Sequence, residues 1–454
     1  MRKYFGTDGI RRIANTELTP ELVYKVAKAG AYVLSKHTDH TPLILIGRDT
    51  RISGTLIESA MVAGFLSYGA NVKLLGVLPT PAVAYLTRKL KADASVVISA
   101  SHNTFEFNGI KFFSNKGTKI PDSLEEEIEE IMDSGRLEEL TAVNDKIGTS
   151  EYALELEDEY VYFFRKLFDE VIEKYNREDF IVGIDTANGA TYKVAEKVFK
   201  ALGINYKIIN NNPNGININD NCGSTHLDSL KKFVKANHLS LGIAYDGDGD
   251  RCLAIDENGE EIDGDKLLAI ISSNLRKHHK LNKDTIVATV MSNLGLNKYA
   301  RDNGLELLQT KVGDRYVLEE MLKNGFNLGG EQSGHVILLD YNPTGDGILT
   351  SLMLIKTILE ENKNASELGS LVKKYPQILV NAKVNSEKKY DYEKDAEIKK
   401  AINELEKEFA GNGRVLIRPS GTEPLVRVMI EGEDQNYISQ KANEIAKLIE
   451  EKLK

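Results

Sequence analysis

Three stretches of this chain repeat one plan: a short apolar strand, a polar loop containing glycine, an amphipathic helix, and a second strand. The first has strands at 43–46 and 72–75 around the loop Gly47-Arg-Asp-Thr-Arg-Ile-Ser-Gly54 and a helix over 55–68. The second runs from 180–184 through Asp185-Thr-Ala-Asn-Gly189 and a helix near 191–202 to 206–209. The third runs from 285–290 through Met291-Ser-Asn-Leu-Gly295 and a helix near 296–303 to 305–308. Strands that are apolar without alternation are buried on both faces, and a helix between two strands makes them parallel neighbours. The repeat therefore predicts three related α/β domains with mixed, mostly parallel sheets. A length of 454 residues leaves room for a fourth domain.

Beyond Tyr375-Pro376 the pattern changes to alternating strands at 377–384, 414–417 and 425–430, with helices near 392–409 and 435–453. That predicts a smaller α+β domain. The expected boundaries give domains at 1–150, 151–255, 256–371 and 372–454. The acidic stretch 122–133 reads as a solvated helix, and 150–175, with Tyr, Phe and Leu at helical spacing, reads as a helix connecting domains.

The formal net charge of −10 argues against nucleic acid as a partner, so an anionic ligand needs a local basic pocket. Two cysteines, Cys222 and Cys252, are too few for a disulfide framework and fit a reducing compartment. No run of about 18 apolar residues is present. These features predict a cytoplasmic protein that uses no membrane.

Chemistry concentrates in three segments. Ser95 to Phe113 places the hydroxyl of Ser101 after an apolar strand, beside His102 and Asn103 and upstream of Lys111. A serine is a weak nucleophile without a base or a metal. Tyr245-Asp-Gly-Asp-Gly-Asp-Arg251 supplies three carboxylates at two-residue spacing, an oxygen-only set that favours Mg²⁺ or Ca²⁺. A calcium EF-hand competes for this string, with Asp246, Asp248 and Asp250 at loop positions 1, 3 and 5 and Glu257 at 12. It fails because Arg251 replaces the turn glycine and the flanks read as strands. Arg418-Pro-Ser-Gly-Thr-Glu-Pro424 combines a guanidinium, the hydroxyls of Ser420 and Thr422, and amides opened by Gly421. By composition it is a turn, and by chemistry a cradle for a phosphate dianion. Together a nucleophile, a hard-metal site and an anion loop specify phosphoryl transfer.

Two further segments are open to more than one reading. Gly329-Gly-Glu-Gln-Ser-Gly-His335 suits hydrogen bonds to sugar hydroxyls through Glu331 and Ser333, with His335 either a ligand contact or a satisfied core histidine. Phe5-Gly-Thr-Asp-Gly-Ile-Arg11 either brings Arg11 to the site or is a turn before the helix that opens at Thr19-Pro20-Glu21.

These five motifs, in this order and along essentially the whole chain, resemble the α-D-phosphohexomutases, and among them most closely the bacterial phosphoglucosamine mutases. The resemblance implies four domains around a central cleft, the first three sharing one α/β fold. It implies that Ser101 carries a catalytic phosphate, and that glucosamine 6-phosphate and glucosamine 1-phosphate interconvert through a bisphosphorylated sugar, feeding UDP-N-acetylglucosamine synthesis. Asp246, Asp248 and Asp250, with the phosphate on Ser101, would hold one Mg²⁺, and glucosamine 1,6-bisphosphate or a similar sugar bisphosphate would be intermediate and activator. Arg11, His102, Lys111 and Arg251 would stabilise the transferring group or move protons. Glu331, Ser333 and His335 would contact the sugar, and Arg418, Ser420, Gly421 and Thr422 its other phosphate. A homodimer is compatible with this picture.

Two positions depart from the family pattern. Arg12 stands where glycine is usual, bearing on the loop around Arg11, and Thr104 stands where proline is usual, bearing on the firmness of the Ser101 loop. A phosphoglucomutase or phosphomannomutase is the near alternative. A two-metal serine phosphohydrolase would need more ligands than eight scattered histidines offer. A sugar-phosphate sensor would have no use for an intact Ser101 and triad.

Overall fold

A computed structural model describes every residue except Met1, Arg2, Thr7, Asn176, Gly421 and Thr422. The described residues form two compact units, one comprising the chain to Met291 together with Leu305–Leu371, the other Ser292–Gly304 together with Val372–Lys454. The first unit holds three mixed sheets, as the repeat predicts.

The first sheet runs in the spatial order Ile10–Ile13, Phe107–Ser114, Ala94–Ile98, Leu43–Arg48, Asn71–Val77, Ser150–Tyr152. Its last four strands are mutually parallel, and Phe107–Ser114 is antiparallel to both of its neighbours. The second runs Glu261–Ile262, Cys252–Asp256, Leu241–Tyr245, Ile181–Asp185, Asn205–Ile209, and the third Glu306–Thr310, Thr285–Thr289, Leu328–Gly330, Val336–Leu338. Central strands such as Ala94–Ile98 and Leu241–Tyr245 are buried at every residue, which explains why they carry no polar alternation.

Each repeat ends in the same way. A parallel strand turns back through a hairpin into an antiparallel neighbour, from 94–98 to 107–114, from 241–245 to 252–256, and from 328–330 to 336–338. The three hairpin loops contain Ser101, the aspartate triad, and Glu331 with Ser333. Topological repetition thus delivers three chemically different loops from equivalent places in the fold.

Helix Glu157–Tyr175 is the expected connecting helix, with Tyr160, Phe164, Phe168 and Ile172 buried at i, i+4 spacing. Its aromatic side meets Tyr85 of the first repeat, with the Tyr85 and Phe163 ring centroids 4.7 Å apart. The Tyr160 hydroxyl donates to Asp346 at 2.8 Å, and Asp346 caps helix Gly347–Glu361 of the third repeat. The helix entry expected at Thr19-Pro20 is present, with Thr19 Oγ1 accepting from Leu22 N and proline at the first turn.

The second unit has three antiparallel strands in the order Gln377–Lys383, Leu425–Glu431, Arg414–Pro419, packed on helices Ala396–Phe409 and Gln435–Leu453. Helix Leu294–Asp302 lies between the two strands of the third repeat, as expected, and in addition packs with the C-terminal strands. The Asn293 amide donates to Tyr375 O and Glu431 Oε1, both at 3.0 Å. Gly295 lets the Lys373 carbonyl approach to where a Cβ would lie only 2.0 Å away. Among the described residues no helix is long and apolar enough to cross a membrane.

Candidate active site

Ser101 begins the first hairpin loop in a left-handed backbone conformation, φ +50°, that serine adopts at a cost of about 1 kcal/mol or more. A solvent-facing residue is the natural expectation for such a loop, and the structure corrects it: Ser101 is 2% exposed. The reason is dense local bonding. Its N–H donates to Ser99 Oγ at 2.9 Å, and Ser99 donates to Asp49 at 2.6 Å. Asp49 and Arg51, both buried, form an ion pair at 2.8 Å, and the Arg51 guanidinium donates to the carbonyls of Ser101, Asn103 and Thr104. The Thr104 departure therefore does not leave the loop untied.

Ser101 Oγ donates to Asp246 Oδ2 at 2.8 Å and lies 3.4 Å from His102 Nδ1. Asp246, Asp248 and Asp250 are buried, and one oxygen from each falls within 4.8 Å of the others. Asp248 Oδ2 accepts from Thr80 at 2.6 Å and from Lys111 at 2.9 Å. The second oxygens of Asp248 and Asp250 are buried with no hydrogen-bond donor. Bare carboxylate oxygens in a dry pocket are costly unless a cation meets them, so the donor set fits a hard divalent ion. Burial, and then the charges of Asp250 and Asp248, push the Asp246 carboxyl well above the usual carboxylate range. A cation would reverse that. Glu257, the twelfth position of the rejected EF-hand, instead accepts from Ser366.

Around the triad the charges alternate in sign. Lys111, 2% exposed, bonds Asp248 and reaches Asp8 at 3.1 Å; Asp8 also pairs with Lys119, and Lys119 with Asp314 at 2.7 Å. His335 lies 3.5 Å from Asp314 and 3.5 Å from Asp250, which closes the chain of charges back to the triad. Burial alone would raise the Asp8 carboxyl and lower Lys111 and Lys119. The opposite charges outweigh it, holding Asp8 well below the carboxylate range and both lysines above their ordinary value. Arg251 is likewise held charged against burial by Asp250 and Asp246.

Arg11 donates to Asn103 at 2.9 Å and to Asp8 at 3.1 Å, which places it beside the Ser101 loop. Arg12, next on the strand, points elsewhere and donates to the Lys3 carbonyl, so this departure leaves Arg11 undisturbed. His335, considered for sugar contact, is buried, accepts from Gly345 N at 3.0 Å and faces Asp250, the core-histidine arrangement. Glu331 and Ser333 are half-buried on the third hairpin. Glu331 accepts from Gly313 N at 3.2 Å and lies in the field of Arg251. That hairpin is joined to the aspartate hairpin by Cys252 N donating to Gly334 O at 3.0 Å.

In the C-terminal unit, Arg418 belongs to strand Arg414–Pro419 rather than to the loop after it. The ladder sets it opposite Arg427, whose charge, after burial, lowers its pKa. Lys389 donates to Ser420 O at 3.0 Å. Two guanidiniums and an ammonium thus gather at this end of the sheet; Gly421 and Thr422 lie outside the described residues. Sequence reasoning missed Arg427, Lys389, Asp49, Arg51, Asp8, Lys119, Asp314 and Thr80. Only the charged loop Gly47-Arg-Asp-Thr-Arg carried a visible signal, in charges that an ordinary strand-to-helix turn does not need.

Four family models match in order: phosphoglucomutase/phosphomannomutase alpha/beta/alpha domain I over residues 2–139, domain II over 158–259, domain III over 263–375, and the C-terminal domain over 379–448. The chain belongs to the phosphoglucomutase/phosphomannomutase family. Among its relatives it is 53% identical to a phosphoglucosamine mutase of Acetivibrio thermocellus and 50% identical to one of Clostridioides difficile, with 100% of each chain covered in both cases. Solved structures share the fold: a phosphoglucomutase/phosphomannomutase family protein from Burkholderia thailandensis has a TM-score of 0.78 at 21% identity, covering 99% of this chain and 97% of that one. An Aspergillus fumigatus N-acetylphosphoglucosamine mutase in complex with GlcNAc-6P and magnesium has a TM-score of 0.66 at 18% identity, covering 99% and 96%.

Burial, reinforced by Arg251 and Arg11, pushes the His102 imidazole down to about 4. His102 is therefore neutral at pH 7 and able to accept a proton. In the unphosphorylated, metal-free protein, the His102 C2 proton, assigned with His102→Gln, is expected to titrate by NMR near pH 4. A midpoint at or above 6.5 would contradict this environment.

Proposed function

We propose that this chain interconverts glucosamine 6-phosphate and glucosamine 1-phosphate, with Ser101 carrying a phosphoryl group between two oxygens of the sugar. The observation that carries the reading is a serine hydroxyl 2.8 Å from one of three clustered carboxylates, two of which keep a bare oxygen. Half of the residues are shared with phosphoglucosamine mutases end to end, which supports this substrate.

In the forward half-reaction the bond from Ser101 Oγ to phosphorus breaks and a bond to the free sugar hydroxyl forms, the hydroxyl proton passing to the serine side. The resulting bisphosphorylated sugar turns over. Its other phosphoryl group then returns to Ser101: the bond from sugar oxygen to phosphorus breaks as the bond to Oγ forms, neutral His102, 3.4 Å from Oγ, takes the serine proton, and a proton passes to the sugar oxygen that leaves as a hydroxyl. Lys111 and Arg251, held charged by the carboxylates, neutralise the moving group together with Arg11, so catalysis is mainly positioning and electrostatics. Asp246, Asp248 and Asp250, with the phosphate on Ser101, would hold Mg²⁺, which when bound offsets charge on the phosphoryl oxygens.

Glu331, with Ser333 beside it, offers a carboxylate to the ammonium of glucosamine and thereby favours this sugar over glucose or mannose. Arg418 and Ser420, with Arg427 beside them, suit the phosphate that is not being transferred. The product carries the anomeric phosphate that synthesis of UDP-N-acetylglucosamine consumes.

Ser101→Ala should abolish turnover, and the native protein alone should show a mass increase of one phosphate at Ser101. Assays with glucosamine, glucose and mannose 6-phosphates, each started with a trace of sugar bisphosphate, should give the highest kcat/KM for glucosamine, by about ten-fold or more. Equal values for all three sugars would move the assignment to a general phosphohexomutase. Chelation should remove activity and excess Mg²⁺ restore it, while Asp248→Asn should weaken Mg²⁺ binding measured by calorimetry; full turnover in chelator would reject the metal site. Arg418→Ala should chiefly raise KM for the phosphosugar, because a contact to a remote phosphate is made in ground and transition states alike. An unchanged KM would assign that loop to another ligand.

A further inference from the structure

We propose that Asn219 is a positioning residue for the nucleophile, holding the Ser101 loop from the neighbouring domain at the angle that phosphoryl transfer requires. The inference rests on the reading of Ser101 as the phosphoryl carrier. The Asn219 amide donates to the carbonyls of Ser101 and Asn103, both at 2.8 Å. Arg51 Nη2 donates to the same two carbonyls, at 3.0 and 2.8 Å. Each carbonyl thus accepts twice, once from its own α/β repeat and once from the second.

The second repeat is also the one that carries the aspartate hairpin, and the contact is tight there. A Cβ at Gly247, between Asp246 and Asp248, would lie 2.5 Å from Ser101 O and 2.8 Å from Asn219 Nδ2. The amide therefore ties the peptide of Ser101 to the same few atoms from which Asp246 reaches its hydroxyl. Asn219 is buried and is itself anchored, its N–H donating to Ala187 O at 2.9 Å. It also adopts a left-handed conformation, φ +58°, natural for asparagine.

Arg51 and Asn219 do different work. Arg51, paired with Asp49, fixes the loop to its own sheet. Asn219 fixes it to the metal side, so that the φ +50° conformation of Ser101 and its 2.8 Å contact with Asp246 coincide. Loss of the amide would let the Ser101 peptide rotate and carry Oγ off line, and displacements near 1 Å can cost about 10²-fold in rate. The amide is spent on protein carbonyls, so substrate affinity should not change.

The test uses Asn219→Asp, which keeps shape and tolerance of positive φ but turns oxygens toward the carbonyls, and Asn219→Gly, which keeps the backbone and removes the amide. Both are expected to lower kcat by about 10- to 100-fold with KM for glucosamine 6-phosphate and the unfolding midpoint near native values. Uptake of phosphate onto dephosphorylated Ser101 from glucose 1,6-bisphosphate, followed by intact mass, should slow by a similar factor. Should Asn219→Asp fail to fold, Asn219→Gly decides. Native kcat in either folded variant, or a fall in kcat only alongside a raised KM and lowered unfolding midpoint, overturns the inference. Turnover in Ser101→Ala would instead overturn the underlying assignment of the nucleophile.

Discussion

Three aspartates within five residues, all buried on one hairpin turn, are a repulsive arrangement that the surrounding structure has to answer. The answer comes partly from other domains. Lys111 arrives on Phe107–Ser114, an inner strand of the first sheet, and His335 comes from the third hairpin, while Arg251 follows in the same turn. Lys111 and His335 are met in turn by Asp8 and Asp314, and Lys119 pairs with both of those carboxylates. The packing of the first three domains is therefore specified electrostatically at its centre, while hydrophobic burial, as in the aromatic cluster around Tyr160, acts without comparable direction.

The same arrangement explains how a weakly reactive hydroxyl can serve. Ser101 gains no strongly basic neighbour, since burial leaves His102 neutral but only weakly basic and Lys111 stays charged. It gains a fixed place beside a site built for positive charge. The cost of its left-handed backbone is met by a buried ion pair, Asp49 with Arg51, that ties down the carbonyls of Ser101, Asn103 and Thr104. Strain, burial and charge thus act on the same few atoms.

Much of the fold was legible because the informative signals are local. Apolar runs gave the strands of all three repeats to within two residues, and the switch to alternation at Tyr375-Pro376 marked the C-terminal sheet. The motifs brought forward Ser101, the triad and Arg251, which the structure gathers in one place, because carboxylates at two-residue spacing have few uses. What stayed hidden depends on register and on distant pairing. Arg427 is one of several residues on an alternating strand until the ladder sets it against Arg418. Asp8, Lys119 and Asp314 are ordinary surface charges in sequence and become half-buried, paired ones only when the domains meet. Burial of Ser101 is invisible in sequence because loops ordinarily face solvent, whereas hydrogen bonds from Arg51 and Asn219 bring this one inside.

Helix Leu294–Asp302 and its packing with the C-terminal strands bear on the modularity of the chain. Glu431 is fully buried, and its carboxylate is met by Arg414 at 2.8 Å, by the Asn293 amide and by the Leu294 N–H at the start of that helix. Two of those three partners lie some 135 residues upstream, within the segment matched by the domain III model. The C-terminal unit is therefore discontinuous in sequence. A single crossover near 372 would exchange the strands but leave the helix behind, separating a buried carboxylate from two of its three donors. Any graft of the last sheet therefore has to carry 292–304 along with 372–454, one packing unit drawn from two stretches of chain.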